Sequence, residues 1–337
     1  MRIMLVTETF APATDPGAES ARHITDALLA GGHQVLVFTT GPGKDSYRSA
    51  RVLRTRAIAS VVAVRRASAG FSPDVVQVLA PRAMGAAAMR ALEPTGVPVV
   101  VLDPIPLHPR VGTVLSSTAA GARVLGTAGI DARVWRAGVR TDEHHPGLRS
   151  EDLHDRWAKV GTPGGPLLVV GYAGPVGVAT TKVVRRLARV AALPDVRLVV
   201  LGSGPGTTTL KAAGAKIVGE SNGLELARAI ASLDVLVHPR KQDGALVAAR
   251  KALASGVPVV AFATGAAAEL VSHRETGLLV SPAKGAGELT RAVASLAADP
   301  DLRARLAAGA RTSVAGRTWA DAVDELIAIY APLRPAV

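Results

Sequence analysis

The sequence predicts an α/β protein made of two doubly wound, parallel-sheet domains that face a cleft. Three observations lead to this class. The chain has 337 residues, which fits two domains of about 150 residues each. Short apolar segments alternate with helical patterns along both halves. A polar, breaker-rich stretch at 143–166 separates the halves, and the alternation starts again after it.

The first half opens with a short apolar strand, a loop at 7–17 that contains breakers, and a helix that Gly31 and Gly32 end. Strands without a polar face are typical of a parallel sheet covered on both sides. The predicted strands of this half are 3–6, 34–39, 74–79 and 97–102, and the predicted helices are 19–30 and 83–91.

The second half predicts a parallel sheet of its own. Its predicted strands are 167–173, 196–201, 235–238, 257–261 and 277–280, and its predicted helices are 181–192, 224–231, 245–254, 286–297, 300–310 and 319–330. Ligands of such sheets bind at the carboxyl ends of the strands, so functional residues are expected there.

The composition excludes several classes of function. The chain has no cysteine, which excludes disulfides, zinc–thiolate sites, iron–sulfur clusters and thiol nucleophiles. The formal charge is +12, but three Trp, three Tyr and four Phe are too few rings for a base-stacking platform, so nucleic acid is not the expected partner. No apolar stretch is long enough to span a membrane and no leader-like segment opens the sequence, which predicts a cytoplasmic protein.

Arginine is concentrated in residues 48–66. The arginines of this segment are Arg48, Arg51, Arg54, Arg56, Arg65 and Arg66. Such a cluster is either an ordinary solvated surface or a weak contact with an acidic membrane surface or a phosphorylated ligand. Both interpretations stay open at this point.

Two glycine-rich junctions follow strands of the second half. The first contains Gly174 and Gly177 and leads to Lys182, and the second contains Gly202 and Gly204. Glycines let backbone N–H groups approach a phosphate, and the N-terminus of a helix favours an anion. The first junction lacks the spacing of a Walker A loop. An ordinary tight turn is the simpler interpretation of each junction taken alone.

Two further junctions carry charged residues. Asp243 and Lys251 are eight residues apart, which places them on about the same face of a helix. Asp243 is also a good cap for that helix, which is the simpler interpretation. Gly265 opens the next helix, whose first turn is suited to an anion, and Glu269 follows in that helix.

The stretch from Ala231 to Val280 reads ASLDVLVHPRKQDGALVAARKALASGVPVVAFATGAAAELVSHRETGLLV. It resembles the nucleotide-binding domain of retaining GT-B glycosyltransferases, specifically glycosyltransferase family 4, and matches that pattern without gaps from Ser232 to Leu278. The resemblance implies a GT-B fold with an acceptor-binding domain at 1–145 and a nucleotide-sugar-binding domain at 146–316. It also implies a terminal helix, in residues 317–337, that crosses back to the first domain.

The resemblance implies transfer of a sugar from a UDP or GDP sugar to a small-molecule acceptor, with retention and without a cofactor or bound metal. Lys182 would meet the diphosphate and Asp243 would orient the sugar. The expected donor contacts also include Gly174, Gly177, Gly202, Gly204, Lys251, Gly265 and Glu269. The expected acceptor-side residues are Gly17 and His108.

Three positions depart from the family pattern. The family signature is Glu-x7-Glu, but here it reads Asp243 and Lys251, and a cation cannot accept hydrogen bonds from a ribose. The first loop lacks the family's arginine, and Arg185 and Arg186 are expected on the surface of the following helix. The family's histidine near the reacting sugar is replaced, at best, by His108.

The sequence keeps the scaffold pattern of the family but changes the polar residues at positions that contact the ligands. Three functions are therefore open. The first is a glycosyltransferase with an unusual acceptor, such as a specialised metabolite, because the segment between Asp103 and Val114 is short for the family. The alternative is a catalytically degenerate homologue that binds nucleotide or partners an active enzyme. The third is other chemistry on a nucleotide sugar, such as epimerisation.

Overall fold

The computed structural model describes residues 1–55, 61–79, 81–104, 112–177, 180–241, 246–285 and 287–333. The chain forms two compact units. Unit 1 combines Met1–Gly138 with Trp319–Val337, and unit 2 is Val139–Thr318. The division falls before the polar segment 143–166, which itself contains a helix.

The sheet of unit 1 has eight strands among the described residues. Their order is β3-β4-β2-β1-β5-β6-β7-β8, and all neighbours are parallel except the β3–β4 pair. The strands are β1 (Arg2–Thr7), β2 (Gln34–Thr40), β3 (Ser46–Tyr47), β4 (Ala50–Thr55), β5 (Val75–Leu79), β6 (Val99–Leu102), β7 (Thr113–Ser116) and β8 (Ala132–Val134). The central strands β1 and β5 are almost wholly buried, as a sheet with two covered faces requires.

Helices cover both faces of this sheet. They are α1 (Pro16–Ala30), α2 (Val61–Phe71), α3 (Ala83–Leu92), α4 (Ala119–Thr127) and, after unit 2, α13 (Trp319–Tyr330). The helices α1 and α13 share one apolar core with the sheet, and α2 and α3 share the other. Two buried hydrogen bonds fix α13: Trp135 Nε1 donates to the carbonyl oxygen of Ala322 at 2.8 Å, and the Tyr330 hydroxyl donates to Gln77 Oε1 at 2.8 Å.

The sheet of unit 2 has six parallel strands among the described residues, in the order β11-β10-β9-β12-β13-β14. The strands are β9 (Leu168–Ala173), β10 (Val196–Leu201), β11 (Lys216–Gly219), β12 (Val235–His238), β13 (Val259–Phe262) and β14 (Gly277–Val280). Because every strand is parallel, the carboxyl ends of all six lie along one edge of the sheet.

The helices of unit 2 also pack on both faces of its sheet and enclose two apolar cores. They are α5 (Glu151–Ala158), α6 (Thr181–Ala191), α7 (Thr207–Ala212), α8 (Gly223–Ala231), α9 (Val247–Ala254), α10 (Gly265–Leu270), α11 (Gly287–Ala298) and α12 (Pro300–Ala315). The predicted α/β class with two doubly wound sheets is therefore confirmed, and each of the nine predicted strands is present.

The sequence prediction missed several short or polar elements. The two-residue strand β3, the arginine-rich strand β4 and the three-residue strand β8 lack the apolar run that marks a buried strand. Helix α1 begins at Pro16 rather than at residue 19, because the Asp15 carboxylate accepts hydrogen bonds from the N–H groups of Gly17 and Ala18.

Candidate functional site

The first two junctions of unit 2, after β9 and β10, pack directly on each other. The N–H of Gly174 donates to the carbonyl oxygen of Leu201 at 3.0 Å, and the N–H of Val176 donates to the carbonyl oxygen of Ser203 at 3.0 Å. The N–H of Gly206 donates back to the carbonyl oxygen of Val176 at 2.7 Å. These three N–H groups are therefore used between the loops and are not available to a ligand.

This packing explains why small residues occupy the second junction. A Cβ added at Gly202 would overlap the carbonyl oxygen of Gly174, and one added at Gly204 would lie 2.9 Å from the carbonyl of Val176. Gly204 also has φ +135°, which side chains rarely adopt. At Gly177, by contrast, a Cβ would meet no atom of the described residues within 4 Å. Of the predicted glycines in these two loops, Gly177 is the one with open space beside it.

Helix α6 begins soon after these loops and carries the predicted Lys182 as its second residue. The Lys182 side chain is exposed, while the opposite face of α6 is buried in the core of unit 2. The helix has no acidic residue in its first turn, so the partial positive charge of its N-terminus adds to that of Lys182. The position of Lys182 therefore suits a negatively charged ligand.

Arg186 differs from the expectation that it lies on the helix surface. Its Nη1 donates to the carbonyl oxygen of Pro239 at 2.5 Å, just after β12 ends, and its guanidinium carbon lies 4.9 Å from the ring centroid of Phe262. Burial, followed by the charge of Arg185, lowers the pKa of the Arg186 guanidinium. Arg185 is exposed, as expected, whereas Arg186 is half-buried and its guanidinium is bonded to another loop. The i, i+4 spacing between Lys182 and Arg186 was the sequence signal that the two residues share one side of the helix.

The third junction, after β12, is only partly within the described residues. Asp243 lies outside them, so its predicted proximity to Lys251 stays a prediction. Lys251 is half-buried in α9. Lys241 is tied to the neighbouring loops: its Nζ donates to the carbonyl oxygen of Pro282 at 2.9 Å, and its own carbonyl oxygen accepts from the Thr264 hydroxyl at 2.6 Å.

The fourth junction opens the six-residue helix α10. Gly265 is its first residue and has φ +48°, and no atom of the described part of the chain lies within 4 Å of a Cβ built there. Glu269, the fifth residue of α10, is exposed. The structure therefore leaves space beside Gly265 at the same sheet edge that carries the loops after β9, β10 and β12.

Of the two predicted acceptor-side residues of unit 1, the structure describes Gly17 but not His108. The N–H of Gly17 donates to Asp15 Oδ1 at 3.0 Å, and the hydroxyl of Thr9 donates to the same oxygen at 2.9 Å. A carboxylate of the chain itself therefore occupies the N-terminus of α1. His108 lies outside the described residues.

Sequence reasoning missed Glu8, which follows β1 at the carboxyl edge of the unit 1 sheet. Its Oε1 accepts hydrogen bonds from the N–H groups of Arg82 and Gly85, at 2.8 and 3.1 Å, and so caps α3. The position of Glu8, an acidic residue directly after the buried strand β1, was the sequence signal that could have identified it. Asp103 stands at the end of β6 with φ +51°, and its Oδ1 accepts from the N–H of Ser117 at 2.8 Å.

The arginine cluster at 48–66 has partners inside unit 1. Arg48 forms an ion pair with Asp26 at 2.8 Å, and Arg65 donates to the carbonyl oxygen of Ala91 at 3.0 Å. Arg54 donates to three loop carbonyl groups. These three arginines make contacts within unit 1, while Arg51 and Arg66 are exposed and Arg56 lies outside the described residues. In the described part of the chain, no helix has the length and apolar character to cross a membrane.

One group of potential metal ligands occurs within the described residues. Ligand atoms of Glu151, His154 and Asp155 lie within 4.8 Å of one another. The imidazole of His154 is already paired, because its Nε2 lies 3.0 Å from Asp234 Oδ1. The hydrogen bond to Asp234, the largest effect, raises the pKa of His154 against an opposing effect of burial. This pairing gives His154 a structural role that joins α5 to β12.

The chain is similar to known proteins along its whole length. Residues 168–299 match the family described as glycosyl transferases group 1. A GDP-mannose-dependent alpha-mannosyltransferase of Mycobacterium tuberculosis is 31% identical over 99% of this chain and 97% of the relative. A sulfoquinovosyl transferase of Arabidopsis thaliana is 26% identical over 88% of this chain and 66% of the relative.

Solved structures share the architecture. A sucrose-phosphate synthase from Thermosynechococcus elongatus has a TM-score of 0.80 at 18% identity and covers 98% of both chains. The Anabaena protein HepE in complex with UDP and glucose has a TM-score of 0.78 at 17% identity, over 98% of this chain and 99% of that chain. At these identities the likeness shows the fold.

Proposed function

Because the chain belongs to the GT-B glycosyltransferases of the family 4 type, and so uses a nucleotide sugar, we propose that it transfers mannose from GDP-mannose to a small-molecule acceptor. The observation that carries the proposal is the full-length similarity to the mycobacterial alpha-mannosyltransferase. Two further relatives with the same name, from Mycolicibacterium smegmatis and Corynebacterium glutamicum, support the same donor within the expected UDP or GDP class.

We propose that the transfer retains the anomeric configuration. Mannose is α-linked to the diphosphate in GDP-mannose, and the relatives are named alpha-mannosyltransferases. An α-linked product from an α-linked donor means retention. In such a reaction the protein mainly positions the reactants and stabilises the charge that develops on the departing diphosphate.

The diphosphate would bind at the carboxyl edge of the unit 2 sheet, beside the N-terminus of α6. Lys182 supplies the mobile positive charge there, and the open space at Gly177 lets a phosphate approach the backbone. Gly174, Gly202 and Gly204 would support the site without contacting the diphosphate in this proposal. They allow the loops after β9 and β10 to pack together beneath it.

The remaining donor contacts follow from the chemistry of the side chains. Asp243 would accept hydrogen bonds from hydroxyl groups of the sugar. Lys251 has only donors, so we assign it to a phosphate rather than to the ribose. Gly265 and Glu269, at the start and on the exposed side of α10, complete the proposed donor site.

The acceptor is proposed to be a specialised metabolite that binds at the carboxyl edge of the unit 1 sheet, near Gly17 and His108. Two carboxylates, Glu8 and Asp103, stand at this edge after β1 and β6. Carboxylates accept hydrogen bonds from hydroxyl or ammonium groups, which supports a polar acceptor that carries such groups.

A donor panel tests this function. The protein is incubated with GDP-mannose, GDP-glucose, UDP-glucose and UDP-galactose, with candidate acceptors, and nucleotide release and acceptor mass are measured. We expect GDP release from GDP-mannose above all others, and an acceptor mass raised by one hexose. Turnover of a UDP sugar alone would overturn the proposed donor. Tight GDP binding with no turnover of any donor would favour the degenerate homologue.

A further inference from the structure

Helix α6 has a strongly charged outer face. Its residues Lys182, Arg185, Arg186 and Arg189 follow the spacing i, i+3, i+4 and i+7, which places them on one side of the helix. We call these four residues the α6 basic face. The helix contains no acidic residue, and its opposite side is buried through Val183, Val184, Leu187 and Val190.

Carboxylates of the described residues do not neutralise the charges of this face. Within the described ranges, no acidic side chain pairs with Lys182, Arg185 or Arg189, and Arg186 is bonded to a carbonyl oxygen rather than to an acid. Like charges at i, i+3 and i, i+4 on a helix repel one another. A bound anion would reduce this repulsion.

The four side chains of the α6 basic face line a half-open cavity of about 220 Å3. A water molecule in the liquid occupies about 30 Å3, so the cavity has room for a phosphate group with part of its hydration shell.

One wall of the cavity is held in place. The hydrogen bond of Arg186 to Pro239 and its position over the buried ring of Phe262 fix the guanidinium. The other three side chains are exposed and can turn toward a ligand. A planar guanidinium matches the oxygen atoms of a phosphate with two parallel hydrogen bonds, so a fixed Arg186 with two mobile arginines is a suitable phosphate receptor.

We propose that the α6 basic face binds a phosphate group that is additional to the donor diphosphate. Arg189 is seven residues beyond Lys182, which is about 10 Å along the helix axis, so the face extends well past the proposed diphosphate contact. The size of the cavity favours the phosphate of a small molecule. The phosphate of an anionic lipid headgroup has the same chemistry, and the experiment separates these two sources.

The test uses calorimetric titration with inorganic pyrophosphate at constant ionic strength, in the presence of saturating GDP. The variant is R185Q/R189Q, which leaves Lys182 and Arg186 in place. The matched control is R228Q/R305Q, which removes two exposed arginines from α8 and α12 of the same unit and lowers the net charge equally. Thermal unfolding and GDP affinity are measured for all three proteins, so a failure of the donor site is seen separately.

We expect R185Q/R189Q to weaken pyrophosphate binding about tenfold or more, and the control to match the parent, since charge-assisted hydrogen bonds are lost only in the first. A second arm measures flotation with phosphatidylcholine vesicles, with and without phosphatidylglycerol. Loss of binding only to the anionic vesicles would identify a lipid headgroup as the source of the phosphate. No dependence on Arg185 and Arg189 in either arm, or equal loss in the control, would overturn the proposal.

Discussion

Arg186 and Pro239 are 53 positions apart in the chain, and Nη1 of Arg186 donates to the carbonyl oxygen of Pro239 at 2.5 Å. This bond ties α6, which carries the proposed diphosphate lysine, to the loop that leads to Asp243. Two halves of the proposed donor site are thus connected by one side chain. Arg186 is a positioning residue in this interpretation.

The first prediction concerns Arg186. Replacing it with Met keeps the apolar stem but leaves the Pro239 carbonyl without its donor, so the free energy of unfolding should fall by roughly 1–3 kcal/mol. The KM for the donor should rise, because the loop after β12 loses its anchor. Urea unfolding and steady-state kinetics measure these effects.

Arg189→Met is the control for stability, because it removes the same charge from an exposed position of the same helix. It should change the free energy of unfolding by no more than about 0.5 kcal/mol. Equal destabilisation by both substitutions would show that the bond to Pro239 is not the cause.

The second prediction separates the two kinds of glycine in the loops. Gly202→Ala should destabilise the protein by roughly 1–3 kcal/mol, because the added methyl group overlaps the Gly174 carbonyl. Gly177→Ala should leave the free energy of unfolding nearly unchanged, because the space there is open. If a phosphate approaches the backbone at Gly177, this variant should still weaken GDP binding. Wild-type GDP affinity in Gly177→Ala would place the diphosphate elsewhere.

The third prediction concerns the two lysines of the proposed donor site. Lys182→Gln should lower kcat/KM for the donor about 10- to 100-fold, since it removes a charged donor from the departing diphosphate. Lys251→Gln should weaken GDP binding, and Lys251→Glu should weaken it further, because a carboxylate repels a phosphate. Tighter GDP binding by Lys251→Glu would contradict the phosphate contact and restore the family's ribose role.

The fourth prediction is a pH dependence that centres on His154 and Asp234. The folded-state pKa of His154 is raised, mainly by its hydrogen bond to Asp234, so its stabilising effect is complete below about pH 6.5 and is lost as the pH rises through the folded-state pKa. Burial alone would raise the pKa of Asp234. The hydrogen bonds from His154 and from the N–H of Val169 outweigh this effect, so the pKa is lowered and stability falls in acid.

Urea unfolding of the parent protein and of His154→Gln across this pH range measures the effect. We expect the parent to be more stable than the variant near pH 6, with the difference shrinking as the pH rises. A difference that stays constant with pH would show that packing, rather than the charged pair, accounts for the contribution of His154.

The fold could be predicted largely from the pattern of apolar runs. The strands that were predicted, such as β9 and β10, are largely buried on both faces and are therefore mostly apolar, although β10 contains the partly exposed Arg197. Helix α5 was missed because its sequence is polar and lies in a segment rich in breakers. It is stabilised by tertiary bonds, such as that of His154 to Asp234, which are 80 positions apart and cannot be read from local sequence.

The candidate site was less predictable than the fold. Gly202 and Gly204 accommodate the loop after β9, which is a structural reason that the sequence alone did not reveal, and their contact with the donor stays a prediction. Arg186 was assigned to the surface because the partner that fixes it, Pro239, is distant in the chain. Sequence spacing indicates which residues share a helix face, but it does not indicate which other parts of the chain that face contacts.

The return of α13 to unit 1 has a consequence for how the protein is made. Unit 1 is assembled from residues on both sides of unit 2, and its core needs Trp319, Leu326 and Tyr330. Unit 2 is continuous and can complete its own core while synthesis is still in progress, because domains tend to fold as they leave the ribosome. The half that is translated first is therefore the half that must wait to finish folding.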